Sequence, residues 1–139
     1  EQRVPLVAAP SYIARRGIPK LPEELSHHDC ITGVRSDVPI GYRLIGHGGH
    51  AVRLTVSPTH EVGDGAAVVD AAIEGLGIAQ MPWSLVAPAL AEGRLIEVLS
   101  NHATATVSIN ALWPETRHLL ARVRHVVDLL AARGRRGQL

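Results

Sequence analysis

Phenylalanine is absent from this chain of 139 residues, and Trp and Tyr occur only twice each. With 46% of the residues hydrophobic, the length allows one domain with a real core. That core must be built from Val, Leu, Ile and Ala, which suits helices packed closely on a sheet better than an aromatic sandwich. Cys30 is the single cysteine, so no internal disulfide can form, and a reducing compartment fits. Charge of one sign is missing too: 14 basic against 13 acidic residues leave +1, which gives no electrostatic case for nucleic acid. The basic surplus gathers in the C-terminal helix and in "RGRRG", Arg133–Gly137, which reads as a solvated tail. No apolar run reaches the roughly 18 residues that a membrane span needs. The chain has no initiator Met and opens on "EQRVPLV". It therefore reads as a piece of a longer protein, and the lack of a signal peptide carries no information.

What is present is strong local punctuation. Val4–Ala9 is a continuous apolar run, as in a buried strand, with the strand proper beginning after Pro5. Pro10 and Ser11 start a helix that Gly17 ends. "LPEEL" starts a second short helix at Pro22, with two acids in its first turn where the helix dipole favours them. Cys30–Val34 reads as a strand and Arg35–Gly41 as a loop. Tyr42–Ile45 and Ala51–Ser57 form a hairpin around the glycine-rich "GHGGH", and His60–Val62 is a short strand. "GDGAAVVDAAIEGLG" places Val68, Val69, Ala72, Ile73 and Leu76 on one face of a helix that Gly77 ends. "IAQMP" is a strand; Pro82 starts a helix through Ala91, stopped at Gly93; Arg94–Leu99 and Thr104–Leu112 are strands. From Pro114 a long helix carries Leu119, Leu120, Val123, Val126, Val127 and Leu130 as an amphipathic stripe. Strands alternating with helices predict an α/β fold with a parallel or mixed sheet.

Candidate chemistry is sparse. "HHDC" offers His27, His28, Asp29 and Cys30, and "HGGH" offers His47 and His50, but neither has a recurring ligand spacing, so these read as surface or structural histidines, with no metal and no cofactor. The glycines of "GHGGH" lack a following GK[ST] and read as a hairpin turn. No nucleophile elbow, Cys–His pair or pair of carboxylates stands out, so no catalytic residue is assigned. The remaining candidate is "EVGDGAAVV". There Gly63, Asp64 and Gly65 sit where a strand enters a helix, and free amides at a helix start attract anions. Asp64 also suits a helix cap, and its charge would then partly offset that attraction.

The opening "VAAPSYIARRGIPKLPEELSHHDCI" resembles the P-x-Y-L … G-x-P … P-x-D-L … H-x-C-I segment of LysR-type transcriptional regulators, in their effector-sensing domain. "YRL" stands where that family often has W-R-F. "EVGDGAAVVDAAIEGLGIAQMPWSLVAPALAEGRLIEVL" is similar to its V-N-D … A-x-x-G-x-G-I-A-x-x-P … G-x-L-x-x-V-L, and "INALWPETRHLLARVRHVVDLLAAR" to its closing strand and last helix. Each motif is loose alone, but together they run in register over nearly the whole chain. The resemblance implies a type 2 periplasmic-binding-protein-like α/β fold of two subdomains joined by two crossover strands, at Glu1–Pro5 and about Leu99–Ala103. Residues 1–103 would form the second subdomain. Residues 104–139 would return to a first subdomain whose other strands precede Glu1.

By the same resemblance the chain is a cytoplasmic, non-enzymatic sensing domain. A small effector, for which an anion suits the free amides, would bind between subdomains at Ser11, Gly63, Asp64, Gly65, Pro82 and Trp83. Pairing into a homodimer or homotetramer would use Ala67, Val68, Ala71 and Ala72, and DNA would be bound only through a winged helix-turn-helix outside this chain. An exported solute-binding protein of a transport system is the alternative. Two positions depart from the family. Gly63 stands where a polar side chain is usual, which leaves only backbone for a hydrogen bond, and Tyr42 replaces Trp.

Overall fold

The computed structural model describes residues 1–34, 41–46, 49–103, 106–110, 112 and 120–135. The expected loop at 35–40, His47, the start of the C-terminal helix at 114–119 and the tail from 136 lie outside the described residues.

Five strands form the central sheet: β2 (Leu6–Ala8), β3 (Cys30–Gly33), β6 (His60–Val62), β7 (Ile78–Gln80) and β8 (Ile96–Val98), in the order β6-β3-β7-β2-β8. β3 runs parallel to β6 and β7, while β2 is antiparallel to both its neighbours, β7 and β8. β2 begins after Pro5, as its sequence predicts, because a proline has no N–H to give the ladder. It reads as an unbroken apolar run because both its faces are covered. Leu6 and Ala8 enter one cluster, with Tyr12, Leu25, Tyr42 and Leu44. Val7 enters the other, with Ile31, Val68, Val86 and Leu95.

The second face is covered by α2 (Gly65–Ile73) and α3 (Trp83–Ala91). α2 carries the chain from β6 to β7 past β3, and α3 carries it from β7 to β8 past β2. Both helices end in the same hydrogen-bonded cap. Leu76 N–H reaches Ala71 O and Gly75 N–H reaches Ala72 O; Arg94 N–H reaches Ala89 O and Gly93 N–H reaches Leu90 O. Gly75 and Gly93 take the positive φ, 75° and 70°, that this cap requires. The cap corrects two expectations. α2 stops at Ile73 rather than Leu76, so Leu76 is turned outward and exposed. β8 starts at Ile96 rather than Arg94, because Arg94 belongs to the cap.

On the first face lie α1 (Pro10–Arg16), ended by Gly17 at φ 81°, and a single 3₁₀ segment at Pro22–His27. The hairpin of β4 (Gly41–Ile45) and β5 (Ala51–Thr55) completes this face, in register from Gly41↔Thr55 to Ile45↔Ala51. Tyr42 staples the hairpin to the sheet. Its buried hydroxyl lies 2.6 Å from Ile78 O and 3.1 Å from Ile31 O, and burial pushes its pKa well above the usual tyrosine value. Tyr42 is thus a packing residue with a polar anchor.

β1 (Gln2–Arg3) pairs antiparallel with β9 (Thr106–Val107) in a separate ribbon. The return strand expected at about Leu99–Ala103 is a turn instead: the amides of His102 and Ala103 both donate to Leu99 O at 2.8 Å, with Leu99 at φ 51°. Strand structure follows only at Thr106–Val107, shorter than the expected Thr104–Leu112, of which 104, 105 and 111 are outside the description. α4 (Ala121–Arg135) buries none of its residues.

Candidate functional site

The parallel strands β6 and β7 end at one edge of the sheet, and each feeds a helix there. Helix starts at the carboxyl ends of parallel strands are where open α/β sheets bind ligands. At the first, Asp64 has the extended backbone of an N-cap (φ −122°, ψ 135°), and its Oδ1 accepts from Ala67 N at 3.0 Å. The Asp64 carbonyl accepts from Val68 N at 3.0 Å. The amides of Gly65 and Ala66 have no acceptor among the described residues. At the second start, Pro82 is the N-cap at φ −55° and Trp83 the first helical residue, 38% exposed. The two starts adjoin: a Cβ on Gly65 would meet Met81 Cε and Leu85 Cδ1 at 3.4 Å each. The fold thus brings Gly63, Asp64, Gly65, Pro82 and Trp83 to one edge.

Ser11 is not there. β2 runs antiparallel to β7, so the helix that follows β2 starts at the opposite edge. Ser11 sits on the exposed surface of α1 beside the far end of α2: a Cβ on Gly75 would meet Ser11 Oγ at 2.9 Å, and Arg15 donates to Gly75 O at 2.9 Å. A serine after Pro at a helix start gives no hint of strand direction, so its place where a strand enters a helix groups it with residues that the fold separates.

Arg3, which sequence reasoning did not single out, does join the edge. Its guanidinium carbon lies 4.6 Å from the centroid of the Trp83 ring, and its Nη2 lies 2.7 Å from each carboxylate oxygen of Glu97. No local signal links residues 94 positions apart. The missed hollow is likewise assembled from distant segments. A cavity of about 440 Å³ lies between the start of the 3₁₀ segment, the β4–β5 hairpin and residues 101–102, lined by Leu21, Leu44, Val52, Arg53 and His102 among others. None of the residues expected to bind an effector lines it.

Of the residues expected to pair subunits, Val68 and Ala72 are buried in the chain's own core. Ala67 and Ala71 are half-buried on α2 and are the two that can still face a partner. Among the histidines, His28 is structural: Tyr12 Oη is 3.1 Å from its Nδ1, and Asp29 N–H donates to the same hydroxyl at 2.8 Å. Burial, then the nearby Arg16 cation, lowers the pKa of His28. Among the described residues no three His, Cys, Asp or Glu side chains converge as metal ligands, and no helix is long and apolar enough to cross a membrane.

Residues 1–135 match the model of the LysR substrate binding domain. The HTH-type transcriptional activator TtdR of Escherichia coli K12 is 33% identical over 128 residues, covering 91% of this chain and 41% of that protein. The HTH-type transcriptional regulator PgrR of the same organism is 29% identical over 131 residues, covering 93% and 44%. Among solved structures, the regulatory domain of CrgA, a LysR-type transcriptional regulator from Neisseria meningitidis, superposes with a TM-score of 0.77 at 26% identity. That match covers 94% of this chain and 64% of the other. The full-length virulence activator AphB of Vibrio cholerae gives a TM-score of 0.65 at 28% identity, covering 75% and 35%. The chain spans about two-fifths of the length of the curated relatives it matches.

Proposed function

The chain belongs to the LysR substrate-binding domain family and carries its type 2 periplasmic-binding-protein-like fold, and on that premise we propose that it senses a small effector on behalf of a DNA-binding transcriptional regulator. The observation that carries this reading is the family match over nearly the whole chain, joined to a sheet whose antiparallel β2 leads out of the β1–β9 ribbon. The relatives' own names are those of transcriptional regulators and not of transport components, which favours this reading over an exported solute-binding protein. On it, residues 1–103 form the second effector-binding subdomain, and residues 104–139 return to a first subdomain. The whole protein works in the cytoplasm without catalysing a reaction.

The effector site is the edge formed by Gly63, Asp64, Gly65, Pro82 and Trp83, with the free amides of Gly65 and Ala66 suited to an anionic group. Binding there shifts the population between two subdomain arrangements, for which a coupling of about 1–3 kcal/mol suffices. Placing Pro at Gly65 in the complete regulator removes one donor, so effector affinity should fall by about 1.5–3 kcal/mol. Calorimetry on the folded variant, beside a reporter assay of the regulated promoter, reads this. Unchanged affinity rejects the site, and a promoter indifferent to loss of this region rejects the function. The regulator pairs through the exposed side of α2, where Ala67 and Ala71 permit close approach. Light scattering should show Ala71→Glu weakening the dimer, and an undisturbed dimer places the interface elsewhere.

A further inference from the structure

Arg3 belongs to the two-residue strand β1, yet its side chain reaches two other elements: the Trp83 ring at the start of α3 and the Glu97 carboxylate on β8. The ion pair is a close one, with both carboxylate oxygens 2.7 Å from Nη2, but half of the Arg3 side chain remains open to solvent. A guanidinium over an indole face, paired with a carboxylate, is a stronger tie than either contact alone. The ribbon needs such a tie. It is only two residues wide on each strand, and the side-chain amide of Gln2, buried beside Arg3, finds no acceptor among the described residues. A closed ribbon bears that unpaired donor; an opened one gives it to water.

We propose that Arg3 is a latch. Its guanidinium, held between Trp83 and Glu97, keeps the β1–β9 ribbon closed against the candidate effector edge, and an anionic ligand reaching that edge competes with Glu97 for Arg3 and releases the ribbon. The second half rests on the sensing function proposed above; the first half does not. Arg3 is thus a positioning residue, linking the site to the segment through which the two subdomains would move.

Hydrogen exchange on the complete protein, without ligand, tests the latch. In Arg3→Ala the amides of Gln2–Arg3 and Thr106–Val107 should exchange about tenfold faster, while those of Ile31 and Ala79 in the sheet keep their rates. Glu97→Gln, which removes the charge with which an anion would compete for Arg3, should speed the ribbon in the same direction. Arg3→Lys, which keeps a cation but not the planar fork, should restore part of the protection. General loosening of the fold would move ribbon and sheet together and overturn the proposal. So would a ribbon that exchanges at its native rate in both Arg3→Ala and Glu97→Gln. Should Arg3→Ala fail to fold, Glu97→Gln and Arg3→Lys decide alone. An intact latch in a regulator whose promoter ignores every effector would instead sink the sensing function and leave the latch standing.

Discussion

The sheet half of the molecule and its C-terminal helix are built from the same residues and end in opposite states. In the sheet, Leu6, Val7, Ala8, Ile31, Ile78 and Ala79 are all but removed from water. On α4, Val126, Leu129 and Leu130 stand 52%, 48% and 42% exposed, although its Leu/Val stripe is the most regular amphipathic pattern in the chain. The difference is the opposing layer. β2 has α1 and the hairpin on one face and α2 and α3 on the other, whereas no residue of α4 is buried. A periodic apolar face states that an element is made to be covered; it does not state by what. The stripe is what the proposed return to a first subdomain would cover, and each Leu or Val so buried would contribute about 1.5–3 kcal/mol.

Paired truncations break or sustain this contrast most directly. Leu6→Ala in β2 should cost about 2–5 kcal/mol, because the site is enclosed on both faces and cannot collapse around the cavity. Leu130→Ala in α4 should change the stability of this chain by about 0.5 kcal/mol or less. Denaturant midpoints at constant slope read both. A large effect at Leu130 would mean that α4 packs in solution, and the two regions would no longer differ.

A smaller effect sharpens the contrast within the sheet half, at the start of α2. Asp64→Ala should cost about 1 kcal/mol, within the usual range of 0.5–2 for a lost N-cap, while Asp64→Asn keeps an oxygen for Ala67 N–H and should be nearly neutral. If Asn is as damaging as Ala, the charge and not the hydrogen bond holds the helix start. The pair also separates stability from recognition, since Asn removes the charge that opposes an anion without unmaking the cap.

The smallest expected effect is a pH dependence at His28. Tyr12 O–H can donate to Nδ1 only while the imidazole is neutral, and burial followed by Arg16 holds its folded pKa below the ordinary 6.5. The unfolded chain therefore binds more protons in the window beneath 6.5. The stability from this contact is complete above that value and declines as pH falls through the window toward the folded pKa. A shallow loss of thermal stability on acidification should flatten in His28→Gln. A slope that survives the substitution assigns the effect to another group.

The order of the elements and the type of most were legible in the sequence because their causes are local; the turn at Leu99–Ala103 was not. Pro5, Pro10, Pro22 and Pro82 mark starts through a missing donor and a fixed φ, and Gly17 and Gly93 mark stops through a φ near +80° and +70°. The helix start at Gly63–Gly65 was legible for the same reason, since a small flexible turn, a capping acid and an apolar period follow one another within a few residues. Motifs in register over nearly the full length fixed the family, which the match over residues 1–135 bears out. Only the tertiary structure decided strand direction and what meets across the sheet. The antiparallel course of β2 carries Ser11 away from the edge it was assigned to. The cap at Gly75 turns Leu76 out of the buried face. Arg3, Trp83 and Glu97 come together from three separate elements. Such pairings are chosen by the free energy of closing a sheet and covering both its faces. That is a property of the whole chain, to which no single stretch of residues holds the sign.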